Sequence, residues 1–152
     1  MNKKYIYLGI GIAVILLLIF TIPKYFTGNV TASGTKISSN IEKIEVYHFH
    51  GNSQCSSCIA VGKLAEETVN TYFAQELKSG KLVFAHINAE LPENYALAKK
   101  FEVTGASLWV GVTYKDGTFV KEENVNVWYK IGNKEEYMAY LKGVIEQKFS
   151  SN

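Results

Sequence analysis

No arginine occurs among the 152 residues, so all sixteen basic side chains are lysines. The planar fork best suited to gripping phosphate is therefore absent. The fourteen acidic residues all fall after residue 40, together with twelve of the lysines, which leaves residues 41–152 with a net charge of −2. A mildly acidic domain without arginine is a poor nucleic-acid binder, and no nucleic acid is expected as a partner. A glycine-rich phosphate loop, a nucleophilic serine placed by a base and a paired-carboxylate signature are all missing as well. Cysteine is scarce, with only Cys55 and Cys58. What remains is a long apolar run, a polar stretch and one mixed α/β segment.

Charge is absent from Tyr5 to Pro23, and Ile10 to Phe20 is almost purely aliphatic. At a rise of about 1.5 Å per residue this run approaches the roughly 30 Å hydrocarbon thickness of a bilayer. Residues 1–26 are expected to form an N-terminal transmembrane helix, a single-pass anchor. The alternative is a cleaved signal peptide, with Lys3 and Lys4 at its head and Val30-Thr31-Ala32 as the processing site. That site stands about ten residues beyond the apolar run, farther than processing favours. Lys3 and Lys4 favour a cytoplasmic N-terminus, so the expected location is the cell membrane with the C-terminal domain extracytoplasmic. Residues 27–41, rich in Gly, Ser, Thr and Asn, read as a flexible tether. Asn29-Val30-Thr31 fits a glycosylation sequon, a pattern that chance supplies often.

Residues 42–152 read as one domain of order β-α-β-α-β-β-α. A strand from Glu42 to Phe49 leads into the polar loop His50-Gly51-Asn52-Ser53-Gln54. From Ser56 to about Lys78, Cys58, Gly62, Ala65, Val69, Tyr72, Phe73 and Leu77 make a helical apolar stripe, and Ser79-Gly80 ends it. Leu82 to Asn88 is a short apolar run suited to a strand covered on both faces. Pro92 and Glu93 open a short helix through Phe101. Ser107 to Tyr114 is a third strand, and Lys115-Asp116-Gly117-Thr118 signals a hairpin, with a fourth strand somewhere within Phe119–Lys130. An amphipathic helix from Lys134, starting after Gly132-Asn133, closes the domain. The aromatics Tyr47, Phe49, Trp109 and Trp128 are expected in the core or at its rim.

Two cysteines in an exported protein can be a structural bridge. Their spacing argues otherwise, because a bridge across two residues closes a very short loop and removes little chain entropy. At the start of a helix, free backbone N–H groups and the helix dipole stabilise a thiolate at Cys55. Cys58, three residues on, turns back toward the strand. Cys55 can then attack a disulfide as the nucleophile, and Cys58 can resolve the mixed disulfide. His48 and His50 are auxiliary candidates for moving a proton, and each also reads as an ordinary strand or loop histidine. A metal centre is the rival reading, with Cys55, Cys58 and His50 as alternative ligands and His48 or His86 in reserve. Otherwise no cofactor is expected beyond a redox-active disulfide.

In this order of elements, with CxxC after the first strand, residues 42–149 resemble the thioredoxin-like superfamily. Tyr47-His48-Phe49-His50-Gly51, Cys55-Ser56-Ser57-Cys58, Val103-Thr104-Gly105 and Ser107-Leu108 together resemble the nitrophenyl compound nitroreductase subunit ArsF family. The resemblance implies a thioredoxin-like fold with a central mixed sheet flanked by helices. It also implies that the loop of Gly105, Ala106 and Ser107 faces the dithiol, and that the protein is a redox subunit for nitrophenyl arsenicals. Two departures follow. Ser107 or Ala106 stands where the superfamily carries a cis-proline, and no acid on the first strand replaces its buried carboxyl, His48 being nearest that place. The expected function is a membrane-anchored thiol-disulfide oxidoreductase or electron-relay subunit serving a partner redox protein or membrane reductase subunit. The alternative is a metal or metalloid binder of the arsenite type without redox turnover.

Overall fold

The computed structural model describes residues 40–151. The expected anchor at 1–26, the sequon and almost all of the tether lie outside the described residues. Among the described residues no helix is long and apolar enough to cross a membrane.

Four strands form one mixed sheet in the order β2-β1-β3-β4. The central strand β1, Ile41–His50, runs parallel to β2, Leu82–Asn88, and antiparallel to β3, Ser107–Tyr114. The short strand β4, Phe119–Glu123, completes the sheet beside β3. A parallel pair needs a crossover. It is supplied by α1, Ser56–Tyr72, and α2, Ala74–Ser79. The β3–β4 hairpin turns at Gly117, whose φ of 85° explains the glycine, while Asp116 Oδ1 accepts the Thr118 N–H at 2.9 Å. After β2 come a 3-10 turn at Pro92–Asn94 and α3, Tyr95–Phe101. A second 3-10 turn at Val125–Lys130 precedes α4, Lys134–Ser150.

Strand alternation sends side chains to two separate cores. On one face Ile44, Val46, Leu82, Leu108, Val110 and Val112 meet Val61, Ala65 and Val69 of α1 and Tyr137, Leu141, Ile145 and Phe149 of α4. On the other, Tyr47 and Phe49 pack on Phe101 of α3, with Trp109 and Phe119 at the margin. Each fully buried large side chain stabilises the fold by ~1.5–3 kcal/mol. His48 shares the first face, in line with Leu108 on β3 and His86 on β2.

Three expectations change in detail. The helix expected over Ser56 to about Lys78 breaks at Phe73, whose φ of −127° and ψ of 29° leave the helical region. The break sinks the Phe73 ring fully into the core against Phe149, with centroids 6.2 Å apart. Tyr72, expected on the buried stripe, is therefore left exposed, while Val61 and Thr68 join the buried face. The fourth strand stops at Glu123, because the chain must turn to drop Val127 into the core.

Candidate active site

Cys55 is the N-cap of α1, with extended backbone, and its Sγ accepts the Cys58 N–H at 3.1 Å. A sulfur thus occupies the position where Ser, Thr or Asp usually satisfies an orphan helix donor. Cys55 and Cys58 are joined as a disulfide with Cα atoms 5.1 Å apart. Cys55 is exposed and Cys58 is half-buried. The sulfur available to a large partner is the one at the helix entrance.

The loop before the helix is pinned to the end of β2. Asn88 Nδ2 donates to Asn52 Oδ1 at 2.9 Å, and Glu90 Oε2 accepts the Asn52 N–H at 2.9 Å. Gly51 lies close to the same carboxylate: a Cβ there would stand 2.6 Å from Glu90 Oε1, so the Glu90 side chain would have to shift. His50 donates from Nδ1 to the Gly51 carbonyl at 2.9 Å.

Two clefts reach residues next to the CxxC turn, Ser53 in one and Gln54 and Ile59 in the other. One, of about 320 Å³, brings His50 and Ser53 opposite Val103, Thr104, Gly105 and Ala106. The other, of about 260 Å³, is lined by His48, His50, His86, Gln54, Ile59, Lys63 and Glu66. The expected loop shares the first cleft with His50, and both auxiliary histidines line the second, while neither cysteine lines either one. Ser107 does not line either cleft: it is buried, its Oγ donating to the Gly105 carbonyl and accepting the Trp109 Nε1–H, both at 3.0 Å. No cis peptide bond occurs among the described residues, so the loop at Ser107 has an all-trans backbone.

Beneath the helix the three histidines cluster. His48 and His50 stack with centroids 5.6 Å apart, and His48 Nδ1 meets His86 Nδ1 at 3.0 Å. His86 Nε2 lies 3.4 Å from Glu66 Oε2. Burial first, then His86 and His50, push the His48 imidazole down to about 4, with a small opposing pull from the Cys58 backbone. Its Nε2 is buried without a hydrogen-bond partner. Among the described residues no group of three or more His, Cys, Asp or Glu side chains is disposed to hold a metal ion.

β1 does bury an acid that the sequence reading passed over. Glu45 points to the opposite face from His48, where Lys43 at 3.0 Å, Lys100 at 3.2 Å and Tyr47 Oη at 3.1 Å surround it. Burial raises its pKa, but the two lysines together outweigh that and hold it low. It is a structural carboxylate, separated from the cysteines by the sheet. Gly62 and Glu66 were also not singled out as site residues. The available signal was spacing, because Cys58, Gly62 and Glu66 follow one another at four-residue steps on one helix face.

The fold and site define a small α/β protein with a four-stranded mixed sheet, flanking helices and a CxxC disulfide at a helix entrance. The sequence matches no protein-family model and no curated protein.

Proposed function

We propose that this chain is a thioredoxin-like thiol-disulfide oxidoreductase or electron-relay subunit, tethered to the membrane with its domain extracytoplasmic. The observation that carries the reading is the asymmetry of the two cysteines: Cys55 caps the helix and is exposed, whereas Cys58 is half-buried. A thiolate at a helix N-terminus is stabilised by the dipole and by the N–H it accepts. Cys55 attacks a partner's disulfide, and Cys58 resolves it.

Membrane attachment rests on the uncharged run from Tyr5 to Pro23 and would raise the effective concentration of partners at the same surface. The narrower role, a redox subunit for reduction of nitrophenyl arsenicals, rests on the resemblance of the CxxC, His48-Phe49-His50 and Val103-Thr104-Gly105 motifs. Physiological partners are a redox protein or a reductase subunit in the same membrane.

The test is equilibration of the full-length protein with dithiol and disulfide buffers. A reversible two-electron couple that vanishes in Cys55→Ser supports the proposal. A cysteine pair that neither reductant nor oxidant can cycle would falsify it. Stoichiometric thiol-bound metal or arsenic in anaerobically purified protein, without cycling, would favour a carrier instead.

A further inference from the structure

The two edges of the sheet are guarded differently. On one side β4 carries Lys121, Glu122 and Glu123, and such charges keep a foreign strand away. On the other side lies β2, with no lysine, acid or proline from Leu82 to Asn88. Its bonds to β1 fix which backbone groups face outward. The Lys81 carbonyl accepts the Ile44 N–H, and the Ala89 N–H donates to the His50 carbonyl, both at 2.8 Å. Alternation along the strand then turns the odd-numbered residues toward β1 and leaves the N–H and C=O of Leu82, Phe84, His86 and Asn88 on the outer side. The Asn88 carbonyl is taken by the Asn94 Nδ2–H at 2.9 Å, and Leu82 is buried. Phe84 is half-buried and His86 is exposed, and among the described residues the outer N–H and C=O of both are unpaired.

We propose that this edge pairs with the same edge of a second copy of the chain, β2 antiparallel to β2, about a two-fold axis at Ala85. A two-fold interface has to be self-complementary, and this strand is. Phe84 of each copy exchanges both backbone hydrogen bonds with His86 of the other. Ala85 meets its own counterpart on the axis, as a non-hydrogen-bonded pair whose Cα atoms approach to about 4.5 Å, where a small side chain fits. Val83, Ala85 and Ile87 share the face toward the second core, so Val83 of one copy stands across from Ile87 of the other and two apolar pairs flank the axis. The neighbouring registers instead set two Phe84 or two His86 rings on the axis and break up the Val83–Ile87 pairs. Charge agrees with the antiparallel sense, because the Lys81 end of each strand comes beside the Glu90 end of the other. Lys81 Nζ donates to the Ile41 and Glu42 carbonyls and the Glu90 carboxylate accepts the Asn52 N–H, so neither is in an ion pair among the described residues. Since β1 runs parallel to β2, the two CxxC turns lie at opposite ends of the joined eight-stranded sheet. The pairing does not depend on the redox chemistry proposed above.

The experiment is disulfide trapping in the full-length protein, with Cys55→Ser and Cys58→Ser removing the native thiols and circular dichroism checking that each variant is folded. Under mild oxidation Ala85→Cys is expected to become a covalent dimer, because a non-hydrogen-bonded pair on the axis meets the Cβ spacing a disulfide needs. Val83→Cys and Ile87→Cys should each stay monomeric alone and cross-link when mixed. That mixture carries the test if Ala85→Cys does not fold. Lys81→Glu should lower the yield of cross-linked dimer, and adding Glu90→Lys should restore it. Equal self-cross-linking at positions 83, 85 and 87 would reflect chains gathered by their apolar N-terminal runs and overturns the pairing. No cross-link at any of the three overturns it as well, and would leave the edge to a strand from a different protein.

Discussion

Gly62 lies flush against the imidazole of His48: a Cβ at position 62 would stand 2.7 Å from His48 Cε1 and closer still to Nδ1. Glycine inside a helix ordinarily costs about 1 kcal/mol relative to alanine. Here that cost makes room for the ring. Gly62→Ala is therefore expected to destabilise by ~1–3 kcal/mol, opposite in sign to its helix propensity, because the core is overpacked. The strain should largely disappear in the His48→Ala background, where the ring is gone. Urea denaturation of the four proteins of this double-mutant cycle measures the coupling, and additive losses would show that the two residues do not press on one another.

His48 also sets an acid limit on stability. Its folded pKa is lowered from 6.5 to about 4, so the folded state holds the ring neutral over a range in which the unfolded chain protonates it. Above pH 6.5 both states are neutral and nothing is lost. As pH falls from about 6.5 to about 4, the unfolded state binds the extra proton and stability declines, by roughly 2–3 kcal/mol in all. His48→Phe should abolish that decline. Denaturation midpoints across this window decide the matter, and an unchanged slope in the variant would assign it elsewhere.

The order of elements was legible because it rests on short-range signals: Asp116-Gly117 for the hairpin, Gly80 for the end of the crossover, and Gly132-Asn133 before the last helix. Asn133 does cap that helix, its Oδ1 accepting the Glu136 N–H at 3.1 Å. The helix break at Phe73 was not legible, since the stripe through Tyr72, Phe73 and Leu77 continues at helical spacing. The break buries Phe73 in the core beside the Phe149 ring of a distant helix, a contact that no local spacing announces. The same limit applies to the site. The CxxC spacing announces the cysteines, whereas the His48–His86 contact depends on the parallel register that sets those residues side by side.

Glu45 illustrates burial without catalysis, and its neighbours set the cost of losing it. Lys43 and Lys100 are each partly exposed, with 38% and 42% of their side chains accessible, so both can rehydrate when the carboxylate is removed. Glu45→Ala should therefore cost about 1–2 kcal/mol, below the 3–5 kcal/mol typical of breaking a fully buried pair. Burial, then the Glu45 charge and hydrogen bond, raise the Tyr47 phenol to about 12. Removing the acid should bring its titration down toward 10.0, the ordinary tyrosine value. Tyrosinate absorbance during alkaline titration reads this directly, and a Tyr47 that titrates identically in both proteins would sink the assignment. Because the carboxylate is held low, its own stabilising contribution is present above pH 4.5 and is lost as pH falls below it. That window lies below most of the His48 decline, so Glu45→Gln and His48→Phe should remove different parts of the acid limb.

Ser107 joins the loop at Gly105 to the sheet through one hydroxyl. Its Oγ donates to the Gly105 carbonyl and accepts the Trp109 Nε1–H, each at 3.0 Å. Ser107→Ala removes both bonds at once and leaves a half-buried indole N–H without its acceptor, a loss of about 1–3 kcal/mol. Trp109 should report the change as a shift in fluorescence. The Gly105-Ala106 segment, which forms one wall of the cleft beside His50, should exchange its amide hydrogens faster. Thiol-disulfide exchange with a small reagent should stay near the wild-type rate, because neither cysteine touches this hydroxyl through any hydrogen bond in the structure. Exchange with a protein disulfide should slow, since a large partner must lie across the loosened wall. Equal slowing for small and large disulfides would place Ser107 in the dithiol chemistry rather than in support of the docking surface.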